Sequence, residues 1–336
     1  MGLNPMLGEK QESVLVICSE RSGSNLLKAI LSQHPDIFIG PPIPLFECFR
    51  PIIDSYGDLG HDDNWLELID DVVDLIAVNH QPLPCRVTRD QIIAATASGP
   101  RSWAELVRAT YRIIAQSQGA RMFGYKYSTN MQDLALFMAE MDFSHVIYQV
   151  RDPRDVVLST VKTGFVDETP EEVARRWQLA QEHAGKALEA HPHGVLVQRY
   201  EDLLSDPKGT LGRIWSYLGV ADCKQALTFH TERANREIAQ RSHAWANVAR
   251  PLMRRNYGKF YREWNLREVR GVEGVVASEM RRFGYKAASG WRFLGKSRKL
   301  EKRVLTAAEN EFFRPQSEKW EEINRKARAR REKSAC

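Results

Sequence analysis

Ser13-Val14-Leu15-Val16-Ile17-Cys18-Ser19-Glu20-Arg21-Ser22-Gly23-Ser24-Asn25-Leu26-Leu27 decides how this chain is read. The apolar run reads as a buried strand, the polar residues after it as a tight turn, and the pattern that follows as a helix. Such a junction gathers unpaired backbone N–H groups and the positive end of a helix dipole at one point, and Arg21 adds a full charge. The expected occupant is an anion. Gly23 lets the main chain approach it closely, Ser22 and Ser24 offer hydroxyls, and Ser24 or Asn25 is placed to serve the helix start. The phosphate loop of nucleoside triphosphatases, G-x-x-x-x-G-K-[ST], is not what stands here, because its first glycine and its Gly-Lys pair are both missing.

Two later segments repeat the theme. Ser144-His145-Val146-Ile147-Tyr148-Gln149-Val150 reads as a second buried strand that runs into Arg151-Asp152-Pro153-Arg154-Asp155, with Pro153 suited to opening a helix. Arg151 leaves the strand end, and Ser159 faces back from the helix. His193 to Arg199 is strand-like and leads into Tyr200-Glu201-Asp202-Leu203, after which Asp206-Pro207 opens a helix ending near Tyr217-Leu218-Gly219. Apolar runs near 14–18, 121–125, 145–150 and 194–198 alternate with helical patterns, which predicts a parallel sheet covered on both faces. Ligands of such sheets bind at the carboxyl ends of adjacent strands.

Arg21-Ser22-Gly23-Ser24 resembles the 5′-phosphosulfate loop of sulfotransferases that use 3′-phosphoadenosine 5′-phosphosulfate (PAPS). The run from Arg151 to Ser159, R-x-P-x-D-x-x-x-S, is similar to the family's 3′-phosphate site. The Tyr200-Glu201-Asp202-Leu203 block matches too. Ser242 to Leu252, continuing through Asn256-Tyr257-Gly258-Lys259 to Gly284-Tyr285, resembles the C-terminal end of bacterial and carbohydrate-type sulfotransferase domains. The resemblance spans 13–286 and implies a three-layer, P-loop-like α/β fold with PAPS as co-substrate. It assigns nucleotide contacts to Arg21, Ser22, Gly23, Ser24, Asn25, Arg151, Ser159, Tyr200 and Arg250, with Trp245 over the adenine or the cleft. Arg21 and Lys126 are expected to stabilise the transferring group, and Glu47 to be the general base. Fixed cations replace a metal in this chemistry, so none is expected. Glu201 and Asp202 read as packing and capping residues, and His34 as a helix-terminal one.

The 336 residues suffice for one large α/β domain. Forty-eight Lys plus Arg against 43 Asp plus Glu give a net charge of +5, too small to indicate a nucleic-acid partner. Five cysteines, an odd number without a C-x-x-C pair, argue against a disulfide framework and a zinc site, and favour a reducing compartment, by default the cytoplasm. No apolar stretch is long enough to span a membrane. The expected organisation is a flexible 1–12, a sulfotransferase domain at 13–286 with a helical insertion at 50–118 for acceptor recognition, and a charged helical extension at 287–336. That extension reads as solvated helices outside the catalytic core, with self-association as its natural use. The acceptor is expected to be a hydroxyl of a carbohydrate, lipid or small molecule. Two alternatives stay open: a kinase using Mg-ATP with Asp152 as metal-binding acid, and a non-catalytic nucleotide-binding scaffold.

Overall fold

Alternate side chains of the first apolar run face opposite ways. Leu15 and Ile17 enter one hydrophobic core while Val14 and Val16 enter another, and all four are fully buried. Only a strand covered on both faces needs apolar residues at every position. The computed structural model describes residues 12–128, 131–163, 166–191, 194–288 and 306–334. Five parallel strands form one sheet in the order β2-β3-β1-β4-β5. They are β1 (Ser13–Cys18), β2 (Ile37–Ile39), β3 (Met122–Tyr127), β4 (His145–Val150) and β5 (Leu196–Arg199). The three-layer α/β class expected from the sequence is the fold observed.

The chain leaves β1 through α1 (Ser24–Leu31) toward β2 at one edge. It then runs through α2 (Leu45–Phe49), α3 (Asp62–Ala77), α4 (Arg89–Thr96) and α5 (Trp103–Gln116) before β3. After α6 (Leu134–Met141) it crosses to the far side of β1, forms β4, and continues through α7 (Pro153–Thr163) and α8 (Pro170–Glu189) to β5. Strands therefore add leftward from β1 and rightward from β4, and the crevice between these two is where open α/β sheets take ligands. The remaining α-helices among the described residues are α9 (Tyr200–Ser205), α10 (Pro207–Leu218), α11 (Arg233–Arg241), α12 (Phe260–Glu263), α13 (Leu266–Arg282) and α14 (Ala307–Ser334).

Local signals explain the helix ends. Thr88, Thr169 and Asn265 close capping boxes on α4, α8 and α13. Asp206 accepts from the Gly209 N–H at 3.0 Å to start α10, and Gly219 in the left-handed region ends it. The last helix corrects an expectation. Rather than lying in solvent outside the core, α14 buries Ile323 and Ala327 with Leu68, Ile69 and Val72 of α3. Lys326 pairs with buried Asp71 at 2.8 Å, and the Arg330 guanidinium lies 3.8 Å over the Tyr56 ring. Its charge stripe is the partner of the insertion. No helix among the described residues is long and apolar enough to cross a membrane.

Candidate active site

The turn after β1 is held by the end of β4. Gln149 Nε2 donates to the Ser22 carbonyl at 2.7 Å, and Arg151 Nη1 donates to the Arg21 carbonyl at 2.8 Å. Arg21 has φ 61°, a conformation that costs a non-glycine residue about 1–3 kcal/mol, and the Arg151 bond helps to keep it there. Gly23 is required twice over: its φ is +86°, and a Cβ would lie 2.4 Å from Tyr200 Cδ2. The first N–H groups of α1 remain directed at the space in front of the turn, since no side chain caps this helix.

That space is a cavity of about 390 Å³ between the two strand ends, α7 and the segment 243–259. Arg21, Gly23, Ser24, Asn25, Arg151, Ser159, Tyr200, Trp245 and Arg250 all line it. Arg21 Nε donates to Ser159 Oγ at 3.2 Å, so the two anion sites expected from the sequence touch. The Arg151 guanidinium stacks 4.6 Å from the Tyr200 ring centre, and Asn256 Nδ2 donates to the Tyr200 hydroxyl at 2.9 Å. Burial, reinforced by the Arg151 charge, lowers the pKa of Arg21 and of Lys259. A concave site with clustered cations whose charge is disfavoured when empty suits a polyanion. Asp155 organises the wall rather than the ligand: it accepts from the N–H groups of Gly258, Lys259 and Phe260 at 2.6, 2.8 and 3.2 Å.

Three expected site residues are not among those lining this cavity. Ser22 is fully buried, and its hydroxyl pairs with Ser19 Oγ at 2.8 Å inside the turn, so it offers the cavity nothing. Lys126 ends β3 on the other side of β1 and donates to Ser128 Oγ at 3.0 Å. Burial lowers its pKa, while the charges of Cys18, Glu47 and Glu20 oppose that. Glu47 stands on α2, not in a proline-rich loop, with one carboxylate oxygen shut off from solvent. Its charge raises the pKa of Tyr111, Tyr125 and Tyr127 beyond the larger effect of burial. Glu47 and Lys126 thus form a separate polar group beside the cavity. Glu201 holds the fold, accepting from the Asp152 N–H at 3.0 Å and the Tyr285 hydroxyl at 2.8 Å. Lys162, Asn256 and Lys259 line the cavity without having been singled out. A polar and basic run closing on Gly258-Lys259 was the available signal for the last two.

A family model described as "Sulfotransferase family" matches residues 13–224. No individual curated protein matches the sequence significantly. Among solved structures, the chain is similar to the sulfotransferase domain from the curacin biosynthetic pathway, with a TM-score of 0.53 and 17% identity over 84% of this chain and 100% of that one. It is equally similar to the sulfotransferase domain of the Synechococcus PCC 7002 olefin synthase, with a TM-score of 0.52 and 18% identity over 85% and 99% of the two chains.

Proposed function

The chain belongs to the sulfotransferase family, and we propose that it draws its sulfuryl group from PAPS held in the cavity between β1 and β4 and passes it to a hydroxyl of a carbohydrate, lipid or small molecule. One observation carries the reading: Arg21, Arg151 and Ser159, up to 138 positions apart in sequence, meet at a single cavity through the Arg21–Ser159 and Arg151–Arg21 hydrogen bonds. A nucleotide with anions at both its 5′ and 3′ positions is matched by this set. When bound, PAPS supplies an activated sulfuryl group joined to a phosphate leaving group.

In this reading Arg151 and the Ser159 hydroxyl hold the 3′-phosphate, while Arg21 and the α1 N–H groups at Ser24 and Asn25 face the 5′ side. These donors are fixed before substrate arrives, the condition under which they favour a transition state over a ground state. Gly23 permits the close approach, Tyr200 stiffens Arg151, and Arg250 and Trp245 close the outer wall. Lys126, one strand over, steadies the transferring group from the other side. Glu47, electrostatically linked to Lys126, takes the acceptor proton. Free thiols at Cys18, Cys48, Cys85 and Cys223 support work in the reducing cytoplasm.

The test is a thermal-shift comparison of 3′,5′-bisphosphoadenosine with ADP and ATP, since a ligand that prefers the folded state raises the melting point. The bisphosphate is expected to stabilise the protein most. A larger shift with ATP, especially one requiring magnesium, would replace PAPS with the kinase reading.

A further inference from the structure

We propose that Lys28 is an anion-binding residue on the acceptor side of the transfer site, and that the acceptor carries a negatively charged group which it receives. The inference rests on the sulfuryl-transfer reading above only for the identity of the ligand as acceptor; the site itself stands on geometry.

A second cavity of about 730 Å³ runs beside α1, between the edge strand β2, residues 81–84 and α11. It meets the first through a throat of about 10 Å³, room for roughly one water. Asn25 and Trp245 belong to both the throat and the first cavity, and Lys28, Gln81 and Asn235 to both the throat and the second. The three spaces therefore adjoin along one face of α1. Asn25 and Lys28 are three residues apart on α1 and share a face, and helical side chains lean toward the N-terminus. Lys28 thus leans from the second cavity toward the Arg21–Ser24 turn.

Among the described residues, no carboxylate or hydrogen-bond acceptor pairs with the Lys28 ammonium. Lys28 is partly buried and stands on the wall shared by the second cavity and the throat. Burial and the neighbouring Lys126 charge push its pKa down to about 8. An ammonium partly withdrawn from water beside a second positive charge and without a counter-charge is disfavoured, and the usual remedy is a partner. His80, above the throat, is held neutral mainly by burial and also feels the charges of both lysines. The donor is already matched by Arg21, Arg151, Arg250 and Lys259 in the first cavity. Lys28 opens instead to the second, where an elongated molecule lies with its reacting end toward the throat. A phosphate, sulfate or carboxylate on that molecule supplies the missing charge.

The experiment uses the full chain with 3′,5′-bisphosphoadenosine at saturation, so that donor-side anion sites are filled. Glycerol 3-phosphate is the probe and glycerol the neutral control, with lysine side-chain NMR as readout and Lys28→Gln to identify the signal. Glycerol 3-phosphate is expected to shift the Lys28 signal saturably and raise its pKa, glycerol to do neither. The variant should bind the probe about tenfold more weakly or worse, as loss of a charged hydrogen bond implies. If Lys28→Gln does not fold, the isosteric Lys28→Met serves, and the low-pKa lysine signal of the unaltered protein still reports the titration. Absence of a saturable response overturns the proposal. So does a tenfold loss of bisphosphoadenosine affinity in the variant, which would give Lys28 to the donor. A response from Lys28 in a protein that fails to bind bisphosphoadenosine would keep the anion site and discard PAPS.

Discussion

Replacing Arg151 with alanine separates what this residue does for the fold from what it does for a ligand. Its side chain is 7% exposed and makes three contacts: the Arg21 carbonyl at 2.8 Å, Asp155 at 3.8 Å and the Tyr200 ring at 4.6 Å. Losing a charged hydrogen bond costs about 1.5–3 kcal/mol, and the ring contact adds about 1–2 kcal/mol at a buried site. Relief of the repulsion between Arg151 and Arg21 offsets part of this. Asp155 is not stranded, because three backbone N–H groups still reach it. Those effects fall on every nucleotide alike. A lost contact to the 3′-phosphate falls on one class only and is worth a further 1.5–3 kcal/mol or so, about 10- to 150-fold in affinity. Calorimetric titration of 3′,5′-bisphosphoadenosine and adenosine 5′-phosphate into the protein and its variant measures the difference directly. The bisphosphate should weaken by that additional factor relative to the monophosphate. Equal loss for both nucleotides would show that Arg151 only shapes the turn.

Gly23→Ala forces a Cβ onto Tyr200 at a positive φ, so it should destabilise the protein by about 1–3 kcal/mol and weaken bisphosphoadenosine binding; an unchanged melting point and affinity would mean the turn relaxes freely. Lys28→Met should raise the melting point at pH 7, where the partly buried ammonium is protonated in both folded and unfolded chains and only disfavours folding. Between about pH 8 and the ordinary 10.5 the folded protein releases this proton while the unfolded chain keeps it, so the unaltered protein gains stability and the gap narrows. A gap that stays constant from pH 7 to 10 would contradict the burial argument. Glu47→Gln should lower kcat by about a hundredfold while leaving donor affinity within about twofold, in keeping with loss of a general base; an unchanged rate removes it from the reaction.

The sheet was legible where burial is two-sided, because an unbroken apolar run such as Val14 to Ile17 admits few other structures. The edge strand Ile37–Ile39 was not, since three residues carry no periodicity, and the ends of β3 and β5 slipped by one or two residues. That Arg21, Arg151 and Ser159 border one cavity was legible because they stand at strand ends and on the helix that follows, where ligands of parallel sheets gather. Ser22 was misread because its partner, Ser19, competes for the same hydroxyl only once the turn is folded. Lys28 gave no signal at all: within α1 it looks like an ordinary polar helix residue, and its place on a cavity wall emerges only once the 81–84 segment and α11 pack beside α1. The role of α14 was hidden for the same reason, as a charged helix looks solvated until Asp71 and Glu67 on α3 are seen opposite Lys326 and Arg330.

The docking of α14 has a consequence for the cavity wall. Trp245, part of the donor cavity wall, stacks on His80 with ring centres 5.7 Å apart and receives the edge of Phe313 at 5.8 Å. Glu309 accepts from Ser242 Oγ at 3.1 Å to anchor the same segment. The wall beside Arg21 and Arg151 is therefore braced by a helix far from both in sequence, so a substitution at Phe313 or Glu309 acts on the cavity without lining it.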